Sequence, residues 1–334
     1  MAELEMDKMT RMQVRKIRQK KLKHKIIFTG MATALVLILC LFFLIGTKLF
    51  TSFTPDIVMA NFTKNMQTGN YQAAYRFLNS NGPMLTEKTF VEAQKNLGAI
   101  KEMSYKTAEK GKYQLKVVRG SNIKNYSIAA INSGSWIFTD WRIDVVPFTD
   151  EINILTKTKG AVLKAGNIYL GTSNGQKPIT YRAFAGYRHT AVMQLEGAQN
   201  LIFEMPANLN AQAGYMITTD EFKNSLANLI QQYDSELSKT YVDWNMDRLQ
   251  PFLKPDEEGY KWVSDTVSKI KASGVPLNKR LLLFSTGNAY LEDRTHAVIE
   301  VGEIWSDTQK PIKLNYRLEK INNSWKIVTA VAAS

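Results

Sequence analysis

The longest uninterrupted apolar run of the chain lies near its start, directly after a basic segment. No charged residue occurs from Ile26 to Thr47, and this stretch is rich in Leu, Ile, Val and Phe. A helix needs about 20 such residues to cross the hydrocarbon core of a bilayer. The pattern therefore predicts a single transmembrane helix over residues 26–50, preceded by a short tail, residues 1–25.

The tail carries a strong positive bias. It contains nine Lys and Arg against three acids, and the cytoplasmic flanks of membrane helices are enriched in Lys and Arg. We therefore expect a single-pass protein of the cell membrane, with its amino terminus in the cytoplasm and its later domains extracytoplasmic. The residues expected to set this orientation are those nearest the apolar run: Arg18, Lys20, Lys21, Lys23 and Lys25.

Two other interpretations of the apolar run fit less well. A cleaved signal peptide has a shorter apolar region of about 7–15 residues and a small-residue cleavage site, and residues 47–50, TKLF, offer none. A lipoprotein signal needs a small residue before its cysteine, but Leu39 precedes Cys40. Because Cys40 is the only cysteine, the predicted exterior has no disulfide and no thiol chemistry. This is more typical of a bacterial than of an animal surface protein.

After residue 50 the pattern changes to short helices followed by strands. Apolar residues recur at helical spacing in three segments, the last from Thr86 to Leu97. Alternation of apolar and polar residues then predicts strands, ending in a long strand over residues 136–146. Helices first and antiparallel strands afterwards indicate an α+β domain, which we place at residues 51–148.

The last part of the chain repeats this plan. Apolar residues mark one face of a long helix between Phe222 and Tyr241, and a second helix is predicted from Pro255 to Ile270. We therefore predict a second α+β domain over residues 218–334. Its sheet is expected to contain four strands: Leu281–Ser285, Ala297–Trp305, Lys313–Glu319 and Ser324–Val331.

Residues 149–217, between these two modules, show no helical periodicity. Short strands are predicted at 168–170, 190–195 and 201–204, and the pair Asn174-Gly175 is a turn signal. A small all-β domain that separates the two α+β domains fits this pattern.

The positive charge of the predicted exterior is concentrated in the first module. Residues 51–148 contain 12 Lys and Arg against 7 acids, whereas residues 218–334 contain 15 against 16. Outside the membrane we expect an anionic cell-wall polymer or peptidoglycan as counterpart, and no nucleic acid. A solvated strand edge, where Lys prevents pairing with another chain, is the alternative. The candidate binding residues are Lys101, Lys106, Lys110, Lys112, Lys116, Arg119 and Lys124.

The sequence contains no convincing pattern for catalysis. His24, His189 and His296 lie in three different predicted segments, which excludes a histidine pair within one of them. Ser121 and Lys124 match S-x-x-K, but the companion motifs of penicillin-recognising enzymes are absent. We expect no catalytic residue, no metal and no cofactor; a deep cavity holding a buried Asp or Glu would favour an enzyme. The large aromatic residues are expected in the core, with one of them lining a ligand groove as the alternative: Trp136, Trp141, Trp262, Trp305, Tyr316 and Trp325.

The order of these segments resembles a known family. Each α+β module closes with a turn and a Trp-containing strand, NSGSWI at 132–137 and NNSWKI at 322–327. Helices followed by such a sheet resemble nuclear-transport-factor-2-like (cystatin-like cone) domains. The order of anchor, cone-like domain, small β domain and second cone-like domain resembles the TcaA family of single-pass surface proteins, which are linked to glycopeptide susceptibility and cell-envelope stress.

One feature departs from that family, and a second family is similar. TcaA proteins typically begin with a four-cysteine zinc ribbon, and this chain has no cysteine before Cys40. TcpC-like proteins of Gram-positive conjugation machinery share the basic tail, the single span and two cone-like domains. The resemblance implies a non-enzymatic membrane protein that binds envelope polymer or partner proteins of an envelope complex. The alternative is a structural subunit of a conjugative transfer or secretion channel.

Overall fold

The computed structural model describes residues 29–31, 33–40, 54–134, 140–207 and 209–333. Residues 29–31 and 33–40 are helical and exposed. Among the described residues, no helix combines the length and the apolar character needed to cross a bilayer. Much of the predicted span, residues 26–50, lies outside the described residues, and the span therefore stays a prediction. The orienting basic residues also lie outside them: Arg18, Lys20, Lys21, Lys23 and Lys25.

The chain is mixed α+β and folds into two compact units, which confirms the fold class at this level. The first unit comprises the described residues up to Asn79 together with Ile100–Pro147. The second comprises Ser80–Ala99 and the described residues from Phe148 onward. The segment predicted as the first α+β domain, residues 51–148, thus contributes Ser80–Ala99 to the second unit.

Two helices open the first unit, α1 (Pro55–Gln67) and α2 (Tyr71–Tyr75). The hydroxyl of Thr54 accepts a hydrogen bond from the backbone N–H of Ile57, and a proline occupies the first helical position of α1. Both features are typical of helix starts because they satisfy or remove amide groups that have no partner there. The buried apolar stripe of α1 is formed by Val58, Met59, Phe62 and Met66.

The sheet of the first unit has the strand order β1-β5-β4-β3-β2. Its strands are β1 (Leu78–Asn79), β2 (Glu102–Glu109), β3 (Lys112–Arg119), β4 (Asn122–Asn132) and β5 (Trp141–Asp144). The short β1 pairs in parallel with β5, and the other pairs are antiparallel. Residues 136–139 of the predicted final strand lie outside the described residues. The strand ends at Asp144 and not at Val146, where a short 3-10 helix begins.

The middle of the chain, residues 149–217, consists of short strands. The strands are β6 (Thr149–Thr156), β7 (Lys159–Ala165), β8 (Ile168–Asn174), β9 (Ile179–Phe184), β10 (His189–Gln194), β11 (Leu201–Met205), β12 (Asn210–Ala213) and β13 (Met216–Ile217). They form two sheets, β11-β10-β7-β8 and β12-β6-β9, while β13 joins a third. The predicted strands at 168–170 and 201–204 are confirmed as parts of β8 and β11, and the strand predicted at 190–195 corresponds to β10, which ends at Gln194.

Helix α3 (Glu87–Asn96) packs against this β region. The predicted start is confirmed: Thr86 caps the helix, and its hydroxyl accepts from the backbone N–H of Thr89 at 3.3 Å. The rings of Phe90 and Phe184 meet edge to face with centroids 4.9 Å apart. This long-range contact explains why α3 belongs to the second unit although the sequence placed it in the first domain.

The last part of the second unit consists of two helices and an antiparallel sheet. The helices are α4 (Asp220–Asp243) and α5 (Glu258–Ser273). The sheet has the order β13-β14-β15-β16-β17, with β14 (Leu281–Leu291), β15 (His296–Trp305), β16 (Pro311–Ile321) and β17 (Ser324–Ala332). All four predicted strands are confirmed, and each extends at one or both ends beyond what the sequence pattern indicated.

The β region and the last module share one hydrophobic core. Thr158, buried between them, donates a hydrogen bond to the carbonyl oxygen of Leu291 at 2.8 Å and accepts one from the backbone N–H of Met216 at 2.7 Å. These bonds satisfy buried backbone groups. They join the β region to β13 and β14 of the last sheet.

Candidate functional site

A cavity of about 400 Å³ lies in the last module, between α4, α5 and strands β15–β17. Its volume falls within the roughly 300–1,000 Å³ that is typical of small-molecule sites. The outer part is open, since Trp262 on α5 is 62% exposed. The inner part is buried and contains two acidic side chains, Asp234 and Glu303.

The walls of the cavity are mainly aromatic and aliphatic. Trp305 and Tyr316 are buried, as the sequence predicted, but the expectation of a core position is wrong for Trp262. Trp262 lies on α5 at the open side of the cavity. Trp136 lies outside the described residues. Five aromatic residues line the cavity: Tyr233, Tyr241, Trp262, Trp305 and Tyr316.

Asp234 is the most unusual residue of the cavity. Its side chain is fully buried on the inner face of α4, and neither carboxyl oxygen has a hydrogen-bond partner. Burial, reinforced by the negative charge of Glu303, raises the pKa of Asp234 far above that of an ordinary aspartate, and Lys279 offsets part of this shift. The carboxyl group therefore keeps its proton near neutral pH.

Glu303 on β15 is equally buried but fully paired. Its Oε1 accepts a hydrogen bond from the hydroxyl of Tyr316 at 2.6 Å, and its Oε2 accepts one from Nε1 of Trp305 at 2.7 Å. Both donors suit an ionised carboxylate, which only accepts hydrogen bonds. Glu303 thus places a negative charge at the inner end of the cavity and positions two aromatic rings.

Lys279 is the one basic residue among those that line the cavity. Its Nζ lies 3.2 Å from a carboxyl oxygen of Asp307 and 4.9 Å from the centroid of the Trp305 ring. The ammonium group is thus engaged at the edge of the cavity. Three acids line the same space, Asp234, Glu258 and Glu303, so the lining carries an excess of negative charge.

Sequence reasoning missed both buried acids, although the pattern contained a signal for each. Asp234 lies four residues after Ile230 and three before Leu237, on the apolar face of α4. Glu303 lies between Val301 and Trp305 in the row of every second residue that forms the inward face of β15. An acid at an inward position of an amphipathic element is rare unless it is paired or functional.

The predicted basic residues lie in the first unit and do not form one surface. Lys106, Lys112 and Lys116 share the face of Gln114, because Lys106 pairs in register with Gln114 and the three β3 positions alternate with buried ones. Lys124 pairs with Val117 and lies on the opposite face, together with Arg119. Outside the strands lie the remaining two, Lys101 and Lys110.

Two of these lysines also have acidic partners. Nζ of Lys112 lies 2.8 Å from a carboxyl oxygen of Glu109, and Nζ of Lys116 lies 3.4 Å from one of Glu102. Both pairs are exposed, and solvent screens the attraction between their charges. They reduce the local positive charge without removing it.

The histidines have separate environments. Nδ1 of His296 lies 3.0 Å from a carboxyl oxygen of Asp293, and Nε2 of His189 lies 2.9 Å from the hydroxyl of Tyr181. Within the described part of the chain, no group of three or more His, Cys, Asp or Glu side chains is arranged to hold a metal ion. Ser121 lies in the exposed turn between β3 and β4, and not at the start of a helix.

The shape of the cavity depends on a close approach of α5 to β17 at Gly259. A Cβ atom at this position would lie 2.7 Å from the carbonyl oxygen of Val328. We expect Gly259→Ala to displace α5 and to lower the free energy of unfolding by about 2 kcal/mol, measured by urea denaturation. The control is Gly214→Ala, where a Cβ would meet no atom within 4 Å. Equal stabilities of the two variants would show that α5 moves freely against the sheet.

No family model and no curated protein matches this chain. Among solved structures, it is similar to the intermembrane space region of the chloroplast protein ARC6, with 15% identity, a TM-score of 0.30, and coverage of 34% of this chain and 96% of that one. It is also similar to an Ntf2-like protein involved in plasmid conjugation, with 8% identity, a TM-score of 0.25, and coverage of 86% and 96%. A third is Bd1075 of Bdellovibrio bacteriovorus, with 10% identity, a TM-score of 0.26, and coverage of 70% and 93%. Similarities at these TM-scores carry no argument about function.

Proposed function

We propose that this chain is a non-enzymatic, single-pass membrane protein whose extracytoplasmic domains bind cell-envelope polymer or partner proteins. In this proposal two nuclear-transport-factor-2-like domains flank a small all-β domain, as in TcaA-like proteins. The cavity beside Asp234 is one of its binding sites. The observation that carries this part is the pair of unpartnered, fully buried carboxyl oxygens of Asp234.

A buried polar group without a partner is costly, at about 1–3 kcal/mol. Buried side-chain polar atoms are therefore nearly always hydrogen-bonded in folded proteins. A bound ligand that forms hydrogen bonds with Asp234 removes this cost. The test is calorimetric titration of the full chain with small molecules; a cavity that binds none of them would contradict this part of the proposal.

Binding fits the cavity better than catalysis because Glu303 and Lys279 are already engaged with other protein groups. Both carboxyl oxygens of Glu303 accept hydrogen bonds, and the ammonium group of Lys279 is paired with Asp307. General acid–base catalysis usually combines a proton-transferring group with a second free group that stabilises the developing charge. Glu303 and Lys279 therefore offer Asp234 no such free companion.

The same carboxyl group favours a second candidate function, proton transfer by an enzyme. An aspartate whose pKa is raised by burial and by Glu303 is suited to exchange protons near neutral pH. Incubation of the full chain with small ketones in deuterated water tests this candidate by NMR. Exchange of the C–H protons that is lost in Asp234→Asn would support an enzyme and contradict the non-enzymatic proposal.

For the first unit we propose that the face formed by Lys106, Lys112 and Lys116 binds anionic wall polymer. We expect the full chain in detergent micelles to bind purified anionic wall polymer with an affinity that falls as salt rises. Replacing all three lysines with Gln should weaken binding more than tenfold, because the face then loses its positive charges. Salt-insensitive or absent binding would contradict the proposal. The matched control replaces three exposed lysines of α5 with Gln: Lys261, Lys269 and Lys271.

A structural subunit of a conjugative transfer or secretion channel is the alternative role for the whole chain. It predicts a conjugative ATPase or coupling protein encoded beside this gene. It also predicts loss of plasmid transfer when the gene is deleted, with wild-type tolerance of wall-directed antibiotics. The envelope role predicts that deletion of the gene changes the tolerance of wall-directed antibiotics and leaves plasmid transfer at the wild-type level.

A further inference from the structure

We propose that the cavity of the last module recognises an organic ammonium ion, a primary amine on an apolar stem whose nitrogen lies beside Asp234. This inference rests on the proposed function of the cavity as a binding site and adds the chemical class of its ligand. Three independent properties of the cavity support it: charge, hydrogen-bonding capacity and the nature of the walls.

The charge of the lining favours a cation. Asp234, Glu258 and Glu303 line the cavity against a single lysine. The charge of that lysine, Lys279, is paired with Asp307 at 3.2 Å. An anionic ligand would lie beside the buried Glu303 and oppose ionisation of Asp234, whereas a cation would stabilise the ionised form of Asp234.

Ionised Asp234 offers open hydrogen-bond acceptors to a ligand. The oxygens of Glu303 already receive the donors of Trp305 and Tyr316. Asp234 has two oxygens with no partner, which provide about four acceptor sites once it ionises. A primary ammonium group has three donors and no acceptor, and is therefore the complement of this carboxylate.

The walls suit both the charge and the stem of such a ligand. Aromatic faces attract cations, most strongly where water is excluded. The structure already contains one such contact, because Nζ of Lys279 lies 4.9 Å from the ring centroid of Trp305. The aliphatic side chains of Ile312 and Leu314, which also line the cavity, offer apolar surface to the stem.

Binding of this ligand is coupled to a proton. Free Asp234 holds a proton near neutral pH and must release it to pair with an ammonium ion. The affinity should therefore rise with pH, by up to about tenfold per pH unit. The other titratable or charged groups that face Asp234 are Tyr233 and Tyr241 on α4, Glu258 on α5, Glu303 on β15, Tyr316 on β16, and Lys279 and Asp307 in the loops at the edge. Burial raises the pKa of the tyrosines above the ordinary value, so they stay uncharged over this range.

The test is isothermal titration calorimetry of the full chain in detergent micelles, with protein-free micelles as the blank. The probes are 2-phenylethylammonium and its uncharged analogue 2-phenylethanol, each at about pH 6 and about pH 8. We expect the ammonium probe to bind at least tenfold more tightly than the alcohol, and more tightly at the higher pH. Asp234→Asn should weaken binding of the ammonium probe by at least tenfold and affect binding of the alcohol much less.

The outcomes separate this inference from the proposed function. Equal binding of the two probes, with no effect of Asp234→Asn, would overturn the ammonium inference and leave the cavity as a binding site. Binding of neither probe would overturn both. Asp265→Asn, an exposed change on α5, controls for nonspecific effects of removing an acid, and its circular dichroism spectrum and that of Asp234→Asn should match the wild type.

Discussion

Replacing Asp234 with Asn is expected to stabilise the second unit at about pH 7 relative to the wild type, and to add little at about pH 4. The reason is the raised pKa of the buried carboxyl group. In the unfolded chain Asp ionises near pH 4, whereas in the folded chain it keeps its proton. Between these two pKa values the folded state binds one proton more than the unfolded state, so stability falls as pH rises.

The expected size of this effect is about 4 kcal/mol between pH 4 and pH 7, since each pH unit in this window corresponds to about 1.4 kcal/mol. Asn cannot titrate and removes this slope. Urea denaturation, followed by tryptophan fluorescence at a series of pH values, measures it. The difference between variant and wild type is the relevant quantity, because all other titrating groups cancel in it.

Asp265→Asn provides the matched control, because this acid is exposed on α5. Its stability difference from the wild type should be the same at all pH values. A constant difference for Asp234→Asn as well would show that Asp234 is ionised in the folded state, and would contradict a protonated carboxyl group in the cavity.

Replacing Glu303 with Leu should destabilise the second unit by about 4 kcal/mol. The change leaves the Nε1–H of Trp305 and the hydroxyl of Tyr316 buried without their acceptor. Each buried group that loses its partner costs about 1–3 kcal/mol. Urea denaturation at neutral pH measures the loss.

Tyr316→Phe is the control for this experiment, since it removes one donor and leaves Glu303 bound to Trp305. We expect it to cost about 1 kcal/mol. In Glu303→Leu the pKa of Asp234 should also fall, because the charge of Glu303 is one of the causes that raise it. A Glu303→Leu variant as stable as the wild type would show that an apolar side chain replaces the carboxylate without loss, and that its hydrogen bonds do not organise the cavity.

The sequence pattern predicted local elements well where the signal was local. The cap at Thr86 and the apolar spacing after it located the start of α3 correctly. The alternation in the last module located β14–β17 in the right order. The position of α3 against β9 could not be predicted, because it depends on the contact of Phe90 with Phe184, which are far apart in the chain.

The position of Trp262 was predicted wrongly for a reason that the helix geometry makes clear. Successive residues of an α-helix are rotated by about 100° around its axis. The buried residues of α5 are Val263 and Val267, so the residue directly before Val263 points away from them. The prediction of a core position used only the hydrophobicity of Trp262. The position of this residue around the axis of α5 instead directs its side chain to the opening of the cavity.

The cavity itself was beyond sequence reasoning because its two acids come from different elements. Asp234 belongs to α4 and Glu303 to β15, and their proximity follows from the packing of that helix on that sheet. Each acid alone occupies an inward position and gives a signal. The basic residues of the first unit show the opposite case, because they are close together in the sequence but do not form one surface. Successive side chains of β3 and β4 point to opposite faces of the sheet and divide these residues between them.

The most direct measurement counts the protons exchanged when an ammonium ligand binds. Titration of the full chain with 2-phenylethylammonium near pH 7, in two buffers that differ in ionisation enthalpy, gives this number. We expect the release of about one proton per ligand bound by the wild type and of none by Asp234→Asn. Tight binding to the wild type without proton release would contradict the central claim that Asp234 gives up its proton to pair with a cation.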